Sequence, residues 1–154
     1  MTSLERVLLF VHVTAVVIWI GGGHLAQLLA VRAIRSGDAT RMAGVALDIE
    51  WVGKRVLVPT AALTLLSGAW LVSSVGYDWG SSWVSVGLGV WLLSFLAGAF
   101  FLGPESGRIG KAIEAQGPES PEVGQRIRRI LMVARVELVL LLFAVFAMTT
   151  KLWA

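Results

Sequence analysis

Four long runs nearly free of charge dominate this chain. Val7 to Val31, Val56 to Tyr77 and Trp79 to Pro104 contain no Asp, Glu, Lys or Arg, and Ile130 to Ala154 carries only Arg135, Glu137 and Lys151. Crossing ~30 Å of hydrocarbon takes roughly 20 helical residues at ~1.5 Å each, and every run meets that length. In lipid all backbone N–H and C=O groups must be satisfied within the protein, so such runs cross as helices. Only 15% of the 154 residues are charged, against about 25% in water-soluble domains. The expectation is an all-α integral membrane protein. Residues 1–154 form a single transmembrane domain, a four-helix up-down-up-down bundle with helices at about 5–32, 55–75, 83–103 and 121–152. The first run outlasts a signal-peptide h-region and has no clean small-x-small site before Arg32, so it is expected to be retained.

The basic residues are distributed unevenly. Arg32, Arg35, Arg41, Lys54 and Arg55 fall between the first two runs, and Arg108, Lys111, Arg126, Arg128 and Arg129 between the last two. The turn between the middle runs holds only Asp78. The positive-inside rule then places both long connections in the cytoplasm and both termini outside. Topology accounts for the loop charge, so the lipid bilayer is the expected partner and nucleic acid is not. With no cysteine, disulfides and thiolate-bound metals are excluded. Gly-rich nucleotide loops, hydrolytic triads and His-x-x-x-His pairs are absent.

Within the first connection, Met42, Val45, Ile49 and Val52 recur at helical spacing between Ser36 and Lys54. That pattern predicts a short amphipathic helix at the cytoplasmic surface, capped by Asp38 or Ser36; a solvated loop is the alternative. The second connection, punctuated by Pro104, Gly117, Pro118 and Pro121, reads as loop up to Ser120. Ser120 and Pro121 suit the cap and first turn of a last helix that starts outside the membrane. Tyr77, Trp79 and Trp83 suit an interfacial aromatic belt on the outer side.

Polar groups inside the runs are candidate functional residues, because ionisable side chains are costly in hydrocarbon. His12 lies roughly 8 Å below the outer end of its span, and His24 about 18 Å deeper and rotated by about 120°. One straight helix cannot offer both to opposite faces of one haem. His12 shares a helix face with Val16, Trp19, Gly23 and Ala26, beside the Gly21-Gly22-Gly23 run. The bare surface suits either helix packing or a flat cofactor, and His12 is either a ligand or a hydrogen-bond donor to a neighbouring helix. Met148 is a conceivable second axial ligand, and otherwise a core methionine. Lys151 sits at the outer end of the last helix. His24, Arg55, Arg135 and Glu137 are expected to form a structural polar cluster at the cytoplasmic half, with a proton or substrate path as the alternative.

These residues carry a resemblance. His12, Trp19 and the glycines at 21 to 23 look like the first helix of the CopD and HemJ-like bacterial membrane proteins. Arg55, Pro59 and Gly68 follow an Arg…Pro…Gly order found there, and FAMTTKLW resembles a Met-x-x-Lys-Pro ending with Leu152 in place of proline. The closest branch is a set of predicted integral membrane proteins. The resemblance implies a bacterial inner-membrane protein with a b-type haem held by His12 as the metal ligand. It implies a pocket shaped by Trp19, Gly22 and Gly23, and Arg55 and Lys151 as partners of haem propionates or substrate carboxylates. The HemJ side implies oxidation of protoporphyrinogen IX. Two of that side's elements are not found: the chain reads HLAQLLAVR where Tyr-x-x-Arg is expected, and Glu137 lacks its accompanying proline. The CopD side implies copper or metabolite transport. A different class of reading is an accessory or scaffold subunit, a homodimer or part of a larger membrane complex, suggested by the small residues Gly22, Ala26 and Ala30 along one stripe.

Overall fold

The computed structural model describes residues 2–151, and these are helical throughout apart from short turns. The helices are α1 (Ser3–Ser36), α2 (Ala39–Val52), α3 (Val58–Val75), α4 (Ser82–Leu96), α5 (Gly103–Gln116) and α6 (Pro121–Thr150). Two π-helical turns, Gly53–Leu57 and Ala97–Leu102, join α2 to α3 and α4 to α5 without a break. The chain therefore makes four rods long and apolar enough to cross a membrane: Ser3–Ser36, Ala39–Val75, Ser82–Gln116 and Pro121–Thr150. α1 packs on α3, α4 packs on α6, and α2 packs on α5. This is the expected four-helix bundle. The expected end of the last helix at residue 152, and Leu152 itself, lie outside the described residues.

The rods have 34, 37, 35 and 30 residues, or about 45 to 55 Å at ~1.5 Å per residue, well beyond a ~30 Å hydrocarbon layer. The excess collects at the end that carries the basic residues. There the end of α1, α2, α5 and the start of α6 bury a core of their own, built from Ala33, Met42, Ala43, Ala46, Ile109, Ile113 and Val123. The residues predicted for one face of an amphipathic helix are the ones that turn inward, with Met42 buried and Val45, Ile49 and Val52 partly so. The helix begins where expected, with the Asp38 carboxylate accepting from Thr40 N at 2.9 Å and Arg41 N at 3.3 Å. It is not a separate surface element, however. It runs on into the span, and α5 covers its apolar face.

The larger correction concerns GPESGRIGKAIEAQ, expected as loop and found as α5. Pro104 lacks an N–H, and its ring would clash with the carbonyl four residues back in a regular helix. The π turn before it relieves both problems by widening the ladder, so that Gly103 N bonds Gly98 O five residues back. Pro59 is treated the same way, with Val58 N bonding Gly53 O. The two wide turns meet almost backbone to backbone: a Cβ on Gly53 would lie 3.9 Å from Gly103 Cα. Beyond them Gly107 gives room to the Glu50 carboxylate, and a Cβ on Gly110 would lie 2.9 Å from Leu47 Cγ and 3.2 Å from Ala43 O. Ser106 Oγ donates to Ala46 O at 2.8 Å across the same seam. Glycines that resemble loop punctuation are thus the contact surface of a close helix pair.

The true loop is short. Gly117, at φ 82°, ends α5, and α6 starts at Pro121 as expected. The Ser120 hydroxyl does not cap it; it donates instead to Gln116 Oε1 at 2.9 Å. α5 and α6 are joined by Glu105, only 5% exposed, whose carboxylate accepts from Arg126 at 2.7 Å and Arg108 at 3.3 Å. Gly110→Leu should lower stability in detergent by about 1–3 kcal/mol through overpacking against Leu47 and Ala43. Gly44→Ala, with nothing within 4 Å of the added Cβ, should not. Thermal unfolding of both variants checks the pair.

Candidate functional site

Two cavities lie inside the bundle, one above the other. The first, about 320 Å³, is at the terminal end, where α1 starts and α6 finishes; His12, Trp19, Gly68, Trp83, Met148 and Lys151 are among its walls. The second, about 150 Å³, runs from the middle of the bundle towards the basic end; His24, Gln27, Ser94 and Glu137 are its main polar contributors. Trp19, Ile20 and Leu141 line both and form the layer between them. Trp19 is 7% exposed and packs with Ala61, Val90, Leu141 and Ala144.

His12 is held from one side of its ring. Nδ1 lies 3.0 Å from Thr64 O and 3.2 Å from Ser67 Oγ. A carbonyl can only accept, and the Ser67 hydroxyl already donates to Leu63 O at 2.6 Å, so Nδ1 carries a proton and donates to both. In the neutral ring the free lone pair is then on Nε2, which has no hydrogen-bond partner among the described residues. Gly68 makes this pose possible, because a Cβ there would lie 2.8 Å from His12 Cε1 and 3.1 Å from Nδ1. The neighbouring α3 hydroxyls are occupied on their own helix: Thr60 donates to Val56 O, and Thr64 to Thr60 O at 2.9 Å.

The rest of the terminal-end cavity is apolar and aromatic. Met148 reaches across α4 into the space left by Gly87, whose Cβ would meet the Met148 methyl. Trp91 Nε1 donates to Ala61 O at 2.8 Å and its ring stacks on Phe95 with centroids 5.0 Å apart. Lys151, in left-handed conformation at φ 47°, folds back over the mouth. Its Nζ donates to Tyr77 Oη at 3.2 Å and stands 4.4 Å from the centre of the Tyr77 ring. Lys151 is the one charged side chain among the lining residues, so the cavity favours a ligand whose apolar body ends in an anion. Tyr77 and Trp83 meet edge to face at 5.2 Å, and Trp83 is buried. Trp83 is therefore part of the cavity wall rather than of a lipid-facing belt.

Of the residues singled out from sequence, His12, Trp19, Met148 and Lys151 line one cavity. Gly23 lines the other, and a Cβ on Gly22 would lie 2.8 Å from Leu57 Cδ2. The small-residue stripe is therefore used within the chain, with Ala26 and Ala30 also on the second cavity. The expected cluster of His24, Arg55, Arg135 and Glu137 does not assemble. Arg55 and Arg135 are exposed and line neither cavity, and no ion pair among the described residues joins any of the four. The reason is geometric: Arg135 and Glu137 leave α6 on different sides, and Arg55 sits on the outside of a π turn. His24 and Glu137 do share a cavity. Sequence reasoning missed Thr64, Ser67 and Gly87, whose parts depend on side chains that reach them from other helices.

A four-rod helical bundle with buried polar groups and apolar outer faces is a multi-pass membrane protein. Residues 6–151 match the family described as predicted integral membrane protein (DUF2269), and the chain belongs to that family. No curated protein and no solved structure matches the chain.

Nitrogen NMR of histidine-labelled protein should show His12 as the Nδ1–H tautomer. Gly68→Ala should displace the ring, abolish that signature and cost about 1–3 kcal/mol of stability. An unchanged His12 signal in Gly68→Ala would contradict the assigned contact.

Proposed function

We propose that this chain is a b-type haem-binding, redox-associated protein of a bacterial cytoplasmic membrane, with its basic end in the cytoplasm and both termini outside. The observation that carries the reading is His12. Its proton is committed to the Thr64 carbonyl and its unpartnered Nε2 belongs to a ring lining an apolar cavity. A histidine ligand to a metal characteristically donates its other ring N–H to a carbonyl or carboxylate, which fixes the tautomer and raises the basicity of the ligating nitrogen. The donor set fits a haem: an imidazole at His12, a thioether at Met148, flat aromatic walls including Trp19, and the Lys151 cation for propionates. Gly22 and Gly23 lie elsewhere, and Arg55 is too far towards the basic end to join Lys151. When bound, the haem supplies one-electron transfer. The chain's own residues hold the ring, keep water out of an apolar chamber and neutralise an anion at its mouth.

The alternatives have less support. Among the described residues no three His, Cys, Asp or Glu side chains gather, so a copper site built from protein ligands has no cluster to rest on. The small residues that suggested an accessory or scaffold subunit face inward. Nothing in the arrangement supplies the missing elements of a protoporphyrinogen oxidase, so haem binding is proposed without that activity.

Haem-free protein in mild detergent, titrated with ferric haem, should saturate at one haem per chain. His12→Ala should weaken binding at least tenfold, which is about 1.4 kcal/mol. Equal affinity in His12→Ala and wild type, or no saturable binding in either, would refute the reading.

A further inference from the structure

The second cavity has no part in the haem reading. Its position is unusual for its chemistry, since it places several polar groups with spare hydrogen-bonding capacity at the middle of a hydrocarbon-spanning bundle. Ser94 on α4 is 2% exposed, and its hydroxyl oxygen is the one buried side-chain polar atom without a partner among the described residues. Such an orphan is rare and calls for an ordered water or a function. Glu137 on α6 lines the same space and makes no hydrogen bond or ion pair among the described residues. Its Oε1 reaches within 3.9 Å of the Cβ position of Gly98, which lies one helical turn from Ser94 in the wide π turn. Gln27 on α1 clamps α6 beside it by donating from Nε2 to Ala134 O at 2.9 Å, which leaves its carbonyl oxygen free. His24 stands one turn earlier on α1.

A carboxylate without a counter-ion in hydrocarbon is costly, and intramembrane carboxyls commonly face water-filled interior space and serve proton or ion paths. The cavity volume, about 150 Å³, exceeds by an order of magnitude the roughly 10–15 Å³ that one water requires. Its walls continue from Trp19 and Leu141 past Ser106 to Ile113 and Met42, inside the extension at the basic end. His24 and Glu137 are the titratable side chains among the lining residues. The rod of α2 and α3 and the rod of α4 and α5 present none to the cavity. Trp19, Ile20 and Leu141 close it off from the terminal-end cavity.

We propose that this cavity is a hydrated proton-binding site of the membrane interior, in which Glu137 takes up and releases a proton through water held by Ser94, Gln27 and His24. Uptake converts one carboxylate and one hydronium into a carboxylic acid and a water, and release reverses it. Access is from the basic end, and the Trp19 layer keeps the proton from passing directly to the terminal end. The proposal is independent of haem binding, so it is tested on protein without haem.

The experiment is infrared difference spectroscopy of the full chain in lipid vesicles, recorded between acidic and alkaline buffer and repeated in D₂O. Wild type should give a protonated-carboxyl carbonyl band that follows bulk pH, shifts in D₂O and is lost in Glu137→Gln. Ser94→Ala should keep the band but move its frequency, because the water beside the carboxyl loses a partner. A band that survives Glu137→Gln, or no pH-dependent band in wild type, overturns the proposal. A wild-type band indifferent to pH and D₂O also overturns it, since Glu137 would then be a sealed structural acid; this arm holds even if the glutamine variant misfolds. An unmoved frequency in Ser94→Ala overturns the shared water cluster.

Discussion

Two prolines inside membrane-length helices set the geometry of this protein. Each removes a backbone donor where lipid offers no substitute and pushes against a carbonyl one turn back. The chain answers both with the same device, a π turn closed by a five-residue hydrogen bond immediately before the proline. The two turns lie side by side, and glycines at positions 53 and 103 let the rods touch there. On the basic side of that contact the rods continue as a tight pair, α2 and α5, packed through glycines, and the buried Glu105 ties α5 to α6. On the other side they open into a bundle with room for the terminal-end cavity, and the second cavity runs past the joint. Packing, polar placement and the length of the rods beyond the hydrocarbon layer all depend on that joint.

The upper half of the bundle depends on a second close approach. His12 lies flat against α3 because Gly68 has no side chain, and the contact gives the ring a fixed proton and a free nitrogen. The aromatic mouth and Lys151 add an electrostatic preference for anions at the terminal end, while Glu137 and Ser94 place acidic and hydroxyl chemistry at the centre. A thin layer of Trp19, Ile20 and Leu141 separates the two environments. That separation explains why two histidines on one helix have different surroundings: His12 is tied to a neighbouring backbone, whereas His24 borders a cavity it shares with an acid.

Charge-free length made the four rods legible in the sequence, since a continuous apolar run of about 20 residues satisfies its polar backbone groups in lipid as a helix. His12, Met148 and Lys151 were legible as candidates because a polar, sulfur or cationic side chain near a helix end in lipid stands out, and Trp19 because it shares a helix face with His12. The α5 helix was not legible, because Gly103, Gly107 and Gly110 with Pro104 have the composition of a loop. Only a partner helix close enough to need bare backbone gives them a helical purpose, and that information lies on α2. The polar cluster failed for a related reason. Similar depth in the membrane groups Arg55, Arg135, Glu137 and His24, but depth says nothing about which way a side chain leaves its helix. Thr64 and Ser67 were silent in the sequence because their part is to accept a hydrogen bond from a ring on another helix.

The claim with most consequence is that His12 presents a free imidazole nitrogen to a haem. The most direct measurement is the visible absorption spectrum, oxidised and dithionite-reduced, of protein purified in mild detergent from haem-replete cells. The account predicts a Soret band with sharpened bands on reduction, of the b type. A flat visible spectrum from folded protein would contradict it and leave His12 as a hydrogen bond that ties α1 to α3.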